Sequence, residues 1–278
     1  MHLALWLLAI GAGGLLLLVL VACVQIRRPQ GVPACSTNAP RGSVASSFDG
    51  HADTYDDDLN RGLAVSGENK EYFAHERVLW LASCLARLGE HPQALLDYGC
   101  GIGDTTNVLR ELLKVQSIVG VDVSVRSLER ARAQHGSGSS SFLTFGEYQP
   151  SESLDLAYCN GVFHHIPPAQ RDAAIAYVYQ SLRPGGFFAL WENNPWNPGT
   201  RYVMSRIPFD RDAITIPPPE ARILLKKSGF EIIRTDYQFF FPRMLKSLRF
   251  LESHLSGFPL GAQYQVLARK PNRTSRAV

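Results

Sequence analysis

Asp97, then glycines at Gly99, Gly101 and Gly103, then a second acid at Asp122, make a spacing suited to holding a nucleoside. Glycine reaches positive φ and lacks a Cβ, so a loop with glycine at alternate positions turns tightly and lays its backbone against a ligand. Asp122 ends the short apolar run from Ile118, where a carboxylate is placed to accept hydrogen bonds from both ribose hydroxyls. Proton chemistry is available further along. His164 and His165 follow the apolar run that ends at Asn160, and Glu192 closes another such run. Imidazole has a reference pKa of about 6.5, so either histidine is a candidate base toward a hydroxyl or amine. Glu192 is a candidate base or orienting group. Two adjacent histidines without further ligands at suitable spacing define no metal site.

The elements that must position these groups are legible from periodicity. Ala94-Leu95-Leu96 runs into Asp97 as a strand, and a helix is expected from about Thr105 to Lys114. Strand, glycine loop and helix together form the nucleotide-binding turn of a doubly wound α/β sheet. Further helices are expected over 69–88, stopped by Gly89, and from Ser124, a good N-cap, to Gln134. Strands are expected at 142–145, 187–191 and 264–270, with a strand entry at 228–233 and a helix over 172–182. Arg183-Pro184-Gly185-Gly186 reads as a turn, since proline presets φ and glycine permits reversal.

A dinucleotide fingerprint would place its third glycine at position 104, which is Asp104, and this disfavours a nicotinamide enzyme. The Asp-x-Gly-x-Gly-x-Gly loop with Asp122 instead resembles the class I S-adenosylmethionine (SAM) methyltransferases. The segments Leu154–Ile166 and Leu182–Leu190 resemble that family's fourth strand and fifth-strand entry, and the likeness extends over residues 69–270. More narrowly it resembles the type 11 and 12 domains that act on small molecules, lipids and quinones. The resemblance implies a seven-stranded, mostly parallel, Rossmann-like sheet whose last strand runs antiparallel. It implies SAM as cofactor, with Asp97, Gly99, Gly101 and Gly103 at the methionine and ribose part and Asp122 at the ribose diol. Glu147 matches the acid that receives the adenine amino group, and Asn160 joins the cofactor set at the end of the fourth strand. Tyr72 and His75 are lid candidates. The alternative is a catalytically silent SAM-binding module, a sensor or membrane scaffold.

Composition bounds the rest. Of 278 residues, 45% are hydrophobic and 19% charged, which reads as a globular chain. A net charge of +3 gives no broad nucleic-acid footprint. The five cysteines are scattered with no Cys-x-x-Cys, which argues for reduced thiols and against a disulfide framework or zinc site.

Leu3 to Ile26 contains no charged residue, and Arg27 and Arg28 follow at once. Twenty-four helical residues span about 36 Å, enough to cross a hydrocarbon layer of about 30 Å. We expect a transmembrane anchor over 1–26, a flexible tether over 27–50, the catalytic domain over 51–270 facing the cytoplasm, and a loose tail over 271–278. A cleaved signal, prompted by Leu20-Val21-Ala22-Cys23, and a mis-assigned start are the competing readings. Asp56-Asp57-Asp58 is expected as a solvated face. Between Tyr237 and Gly261 an apolar stretch carries Met244, Leu245, Leu248, Leu251 and Leu255 at helical spacing among Arg243, Lys246 and Arg249. It is expected either to pack over the domain as a lid or to lie on an anionic membrane, and a greasy cover suits a lipid-like acceptor.

Overall fold

The structure, a computed structural model, describes residue 59 and residues 61–210 and 213–272. The segments 1–26 and 27–50, Asp56-Asp57-Asp58 and most of the tail lie outside the described residues. Among the described residues no helix is long and apolar enough to cross a membrane.

Helix α1 (Lys70–Leu88) starts at Asn69, whose side chain accepts the Tyr72 N–H, and ends at Gly89 with φ near 73°. Strand β1 (Ala94–Tyr98) enters the glycine loop and α2 (Thr106–Leu113) leaves it. Then come β2 (Ser117–Asp122), α3 (Val125–His135), β3 (Ser140–Thr144) and β4 (Leu154–Asn160). Ser124 caps α3 by accepting the Ser127 N–H. A short 3-10 turn, Phe163–His165, precedes α4 (Pro168–Ser181), which opens on proline, a residue suited to a first turn. The chain continues through β5 (Leu182–Asn193), α5 (Pro198–Arg206), α6 (Pro218–Lys227), β6 (Glu231–Gln238), a 3-10 segment Arg243–Leu251, α7 (Glu252–Leu255) and β7 (Gln263–Arg269).

The seven strands form one sheet in the order β3-β2-β1-β4-β5-β7-β6. All neighbours are parallel except β5 with β7 and β7 with β6, so the last strand enters antiparallel between two others. Strand order reverses between β1 and β4, and a ligand crevice belongs beyond the carboxyl ends of the strands at such a point. Side chains alternate across β1: Leu96 and Tyr98 pack with Phe188, Leu190, Val178 and Leu225 on one face. Leu95 packs with Val78, Leu81, Leu156, Trp191 and Leu267 on the other, under α1 and α2.

Two expectations are corrected. Arg183-Pro184-Gly185-Gly186 is not a turn before a strand but a bulge inside β5, since register passes from Leu154/Leu182 to Leu156/Phe187 and these residues stand opposite Asp155 alone. Gly185 takes φ near 82° there, and Arg183 Nε reaches Asp155 Oδ1 at 2.5 Å. The apolar stretch after β6 is not one amphipathic α-helix either. It is a 3-10 segment followed by a single α-turn, neither of which has a buried residue. It is tied down by its polar groups, with Arg249 paired to Glu68 at 2.9 Å and the Phe241 N–H donating to Glu252 at 3.0 Å. Met244, Phe250 and Phe258 remain exposed. Among the described residues Cys84, Cys100 and Cys159 are free thiols.

Candidate functional site

The glycine loop adopts the strained geometry its composition permits. Gly99, Gly101 and Gly103 have φ near 75°, 54° and 81°. A Cβ on Gly99 would stand 2.4 Å from Val162 Cγ2, so the loop after β1 packs directly on the loop after β4. At Gly101 the same construction meets nothing within 4 Å: the bare backbone faces open space. The Gly101 N–H donates to Asp122 Oδ2 at 2.9 Å and the Ser124 N–H donates to Oδ1 at 2.9 Å. These two bonds hold the Asp122 carboxylate in one orientation at the end of β2.

Asp97 is buried, and its carboxyl accepts no hydrogen bond among the described residues. Burial, and then the negative charge of Asp122, push its pKa up to about 7. Tyr158 is its register partner on β4, so both side chains face α1. From α1 the buried Arg77 donates to Tyr158 Oη at 3.3 Å and to Gln263 Oε1 at 3.0 Å, with no carboxylate in ion-pair reach among the described residues. A buried acid without a donor and a buried guanidinium without an acid are costly unless a ligand completes them. The ammonium and carboxylate of the methionine part of SAM carry the two missing charges, so the residues present fit this cofactor.

Arg77 was not singled out from sequence. A signal existed: Ala74, Arg77, Val78 and Leu81 share the helix face that is buried, and a charge on an apolar stripe asks for a partner.

A second cluster lies beyond β4 and β5. His164 Nδ1 sits 2.6 Å from Glu192 Oε2, and Glu192 Oε1 accepts the Phe163 N–H at 2.8 Å. His164 Nε2 and His165 Nε2 approach the same oxygen, Asp210 Oδ1, at 3.4 and 3.2 Å. His164, Glu192 and Asp210 are buried, whereas the His165 side chain keeps 14% exposure. Burial opposes charge on His164 and is the largest influence, but the Glu192 and Asp210 carboxylates outweigh it and raise its pKa to about 10. Burial likewise opposes charge on Asp210, yet hydrogen bonds from both histidines lower its pKa to about 2. The two carboxylates thus favour the protonated form of His164.

The structure thus brings Asp97, Gly99, Gly101, Gly103, Asp122 and Asn160 to the carboxyl ends of β1, β2 and β4, and gathers His164, His165 and Glu192 with Asp210. Glu147 stands apart. Its exposed carboxylate turns back on its own turn, accepting the Thr144 N–H at 2.7 Å and facing Arg132 at 3.5 Å. Those backbone and side-chain hydrogen bonds from Thr144 lower its pKa. Tyr72 packs edge-on to Phe73 and Phe239 under the 3-10 segment, with Arg249 over its ring at 4.6 Å, while His75 is exposed beside Glu76.

Comparison with known families matches residues 96–188 to a methyltransferase domain, Methyltransf_12. An uncharacterized methyltransferase of Synechocystis is 35% identical over 103 residues, 35% of this chain and 46% of the relative. A trans-aconitate 2-methyltransferase of Methylobacterium radiotolerans is 29% identical over 119 residues, 42% of this chain and 45% of the relative. The chain spans about half the length of these curated relatives. Among solved structures, a SAM-dependent methyltransferase from Thermotoga maritima superposes with TM-score 0.57 at 21% identity, covering 82% of this chain and 99% of the other. The methyltransferase solved with the Trm112 activator of Haloferax volcanii gives TM-score 0.57 at 18% identity, covering 84% and 100%. Glycine loop, sheet order and domain match agree: residues 96–188 match a methyltransferase domain, and the fold is similar to that of SAM-dependent methyltransferases.

Proposed function

We propose that this chain transfers a methyl group from SAM to a small-molecule or lipid-like acceptor at a membrane surface. One observation carries the reading. Two buried groups on the face of the sheet under α1, Asp97 and Arg77, lack counter-charges among the described residues, and a bound amino-acid group supplies both. SAM supplies an electrophilic methyl on a sulfonium, so the protein has chiefly to position an acceptor and manage its proton. Asp122 holds the ribose through the oxygens that Gly101 and Ser124 fix in place. Glu192 and Asp210 hold His164, and His165, beside Asp210, is the candidate base for the acceptor proton.

Small acceptors are supported by the trans-aconitate 2-methyltransferases among the relatives. Membrane residence rests on the uncharged run Leu3–Ile26 followed by Arg27 and Arg28, which places the domain on the cytoplasmic side. The exposed Met244, Phe250 and Phe258 on the segment after β6 suit a lipid-like acceptor. Calorimetry with SAM and with its demethylated product tests the cofactor assignment. Membrane and soluble extracts incubated with labelled SAM then test the acceptor. Label in extractable lipid or small molecules is expected; label confined to protein refutes the acceptor class, and tight SAM binding without any labelled product identifies a silent module.

A further inference from the structure

The acceptor-side cluster has the architecture of a metal centre. We propose that His164 Nε2, His165 Nε2 and Asp210 bind one divalent first-row transition ion, whose remaining positions take an oxygen of the acceptor.

The donor atoms of these three residues lie within 4.8 Å of one another. Asp210 Oδ1 is 3.4 Å from one imidazole nitrogen and 3.2 Å from the other. Donors at about 2.1 Å from a common ion stand about 3.0–3.4 Å apart in octahedral or tetrahedral arrangements, so these spacings need little adjustment. Two imidazoles and one carboxylate suit zinc, cobalt, manganese or iron(II), and leave positions open. The outer shell is also in place. A metal-bound histidine ordinarily donates its other ring N–H to a carboxylate, and His164 Nδ1 meets Glu192 Oε2 at 2.6 Å. Glu192 is itself anchored by the Phe163 N–H at 2.8 Å. Access comes from the side of His165, whose ring is the more open of the two.

Charge favours the ion as well. Glu192 and Asp210 are two buried carboxylates beside the imidazoles. A dication balances both of them, which is the less costly state for a site removed from water. The ion-bound form uses both histidines as ligands. An acceptor hydroxyl on the ion then loses its proton to solvent because the ion lowers its pKa, and no side-chain base is required. The cluster in this form selects oxygen acceptors. The inference extends the methyltransferase reading for the role of the ion, but the binding itself is measured independently of methyl transfer.

Titration of the full-length protein with Co2+, followed by its d–d absorption, tests the site. One tightly bound Co2+ per chain with a low-symmetry visible band is expected. H165A and D210A should each weaken binding at least tenfold, E192Q should weaken it by about 10–100-fold, and H75A, an exposed histidine elsewhere, should leave it unchanged. SAM calorimetry on every variant reports whether the fold persists. Absence of stoichiometric Co2+ binding by the wild-type protein, or equal affinity in H165A and D210A, overturns the proposal. Failure of the wild-type protein to bind SAM while Co2+ binds refutes the methyltransferase reading alone.

Discussion

The two halves of the crevice are built differently. On the cofactor side the decisive contacts are to backbone: Asp122 takes N–H groups of Gly101 and Ser124, within about one crossover of chain. On the acceptor side they join side chains from distant elements, His164 after β4, Glu192 at the end of β5 and Asp210 beyond α5. At the ribose, such a backbone site tolerates change outside the glycines and Asp122. A side-chain site binds its own stability to its chemistry, because each buried charge depends on the others. Damage to the acceptor side should therefore appear first as unfolding, and damage to the cofactor side first as lost affinity.

That contrast orders the tests. His164→Ala leaves the buried Glu192 and Asp210 carboxylates facing each other without their shared cation. We expect a loss of about 3–5 kcal/mol in urea denaturation; a loss below about 1 kcal/mol would break the comparison. Asp122→Ala should weaken SAM binding by about 10–100-fold, the worth of hydrogen bonds to a charged acceptor, with a much smaller change in stability. Arg77→Met should lower SAM affinity about tenfold in calorimetry while leaving adenosine affinity unchanged, since only the carboxylate of SAM is at stake. Equal losses for both ligands would place Arg77 in the fold rather than the site.

The pH dependence of the cofactor side follows from Asp97, whose pKa of about 7 lies above its ordinary value of 3.8. Between these two values the folded state binds more protons than the unfolded state, so the stability of the cofactor-free protein falls as pH rises through this window. SAM affinity should move the opposite way and increase as pH passes about 7, because the carboxylate form pairs with the ammonium. Asp97→Asn should flatten both trends in denaturation and calorimetry. The smallest effect is expected at Glu147, whose carboxylate is committed to Thr144 and Arg132. Glu147→Gln should change SAM affinity less than about twofold.

The same contrast governs what was legible in the sequence. Asp97, the three glycines and Asp122 could be read because their contacts fall within one strand–loop–helix–strand unit, where spacing alone implies geometry. Strand positions were legible too, with ends displaced by one or two residues at β3 and β7 and by up to five at β5 and β6, while the antiparallel β7 followed from the family resemblance. His164, His165 and Glu192 were visible as chemistry-bearing residues, but not their arrangement. Nothing in the spacing of residues 164, 192 and 210 says that the three converge. The segment after β6 misled in the other direction: its helical spacing was real, yet Pro242 and the anchors at Arg249 and Glu252 impose a 3-10 turn whose apolar side chains stay exposed.

The placement of β7 has a consequence for synthesis. Among the described strands Gln263–Arg269 leaves the ribosome last, yet it fills the gap between β5 and β6. Until then β6 has no strand to pair with, and the free edge of β5 exposes an unpaired row of amide groups beside Phe188 and Leu190. A nascent chain held before residue 263 carries an assembled nucleoside-binding half and an open edge that invites pairing with other chains. Chaperone demand should thus peak after β6 has emerged and before β7 follows it.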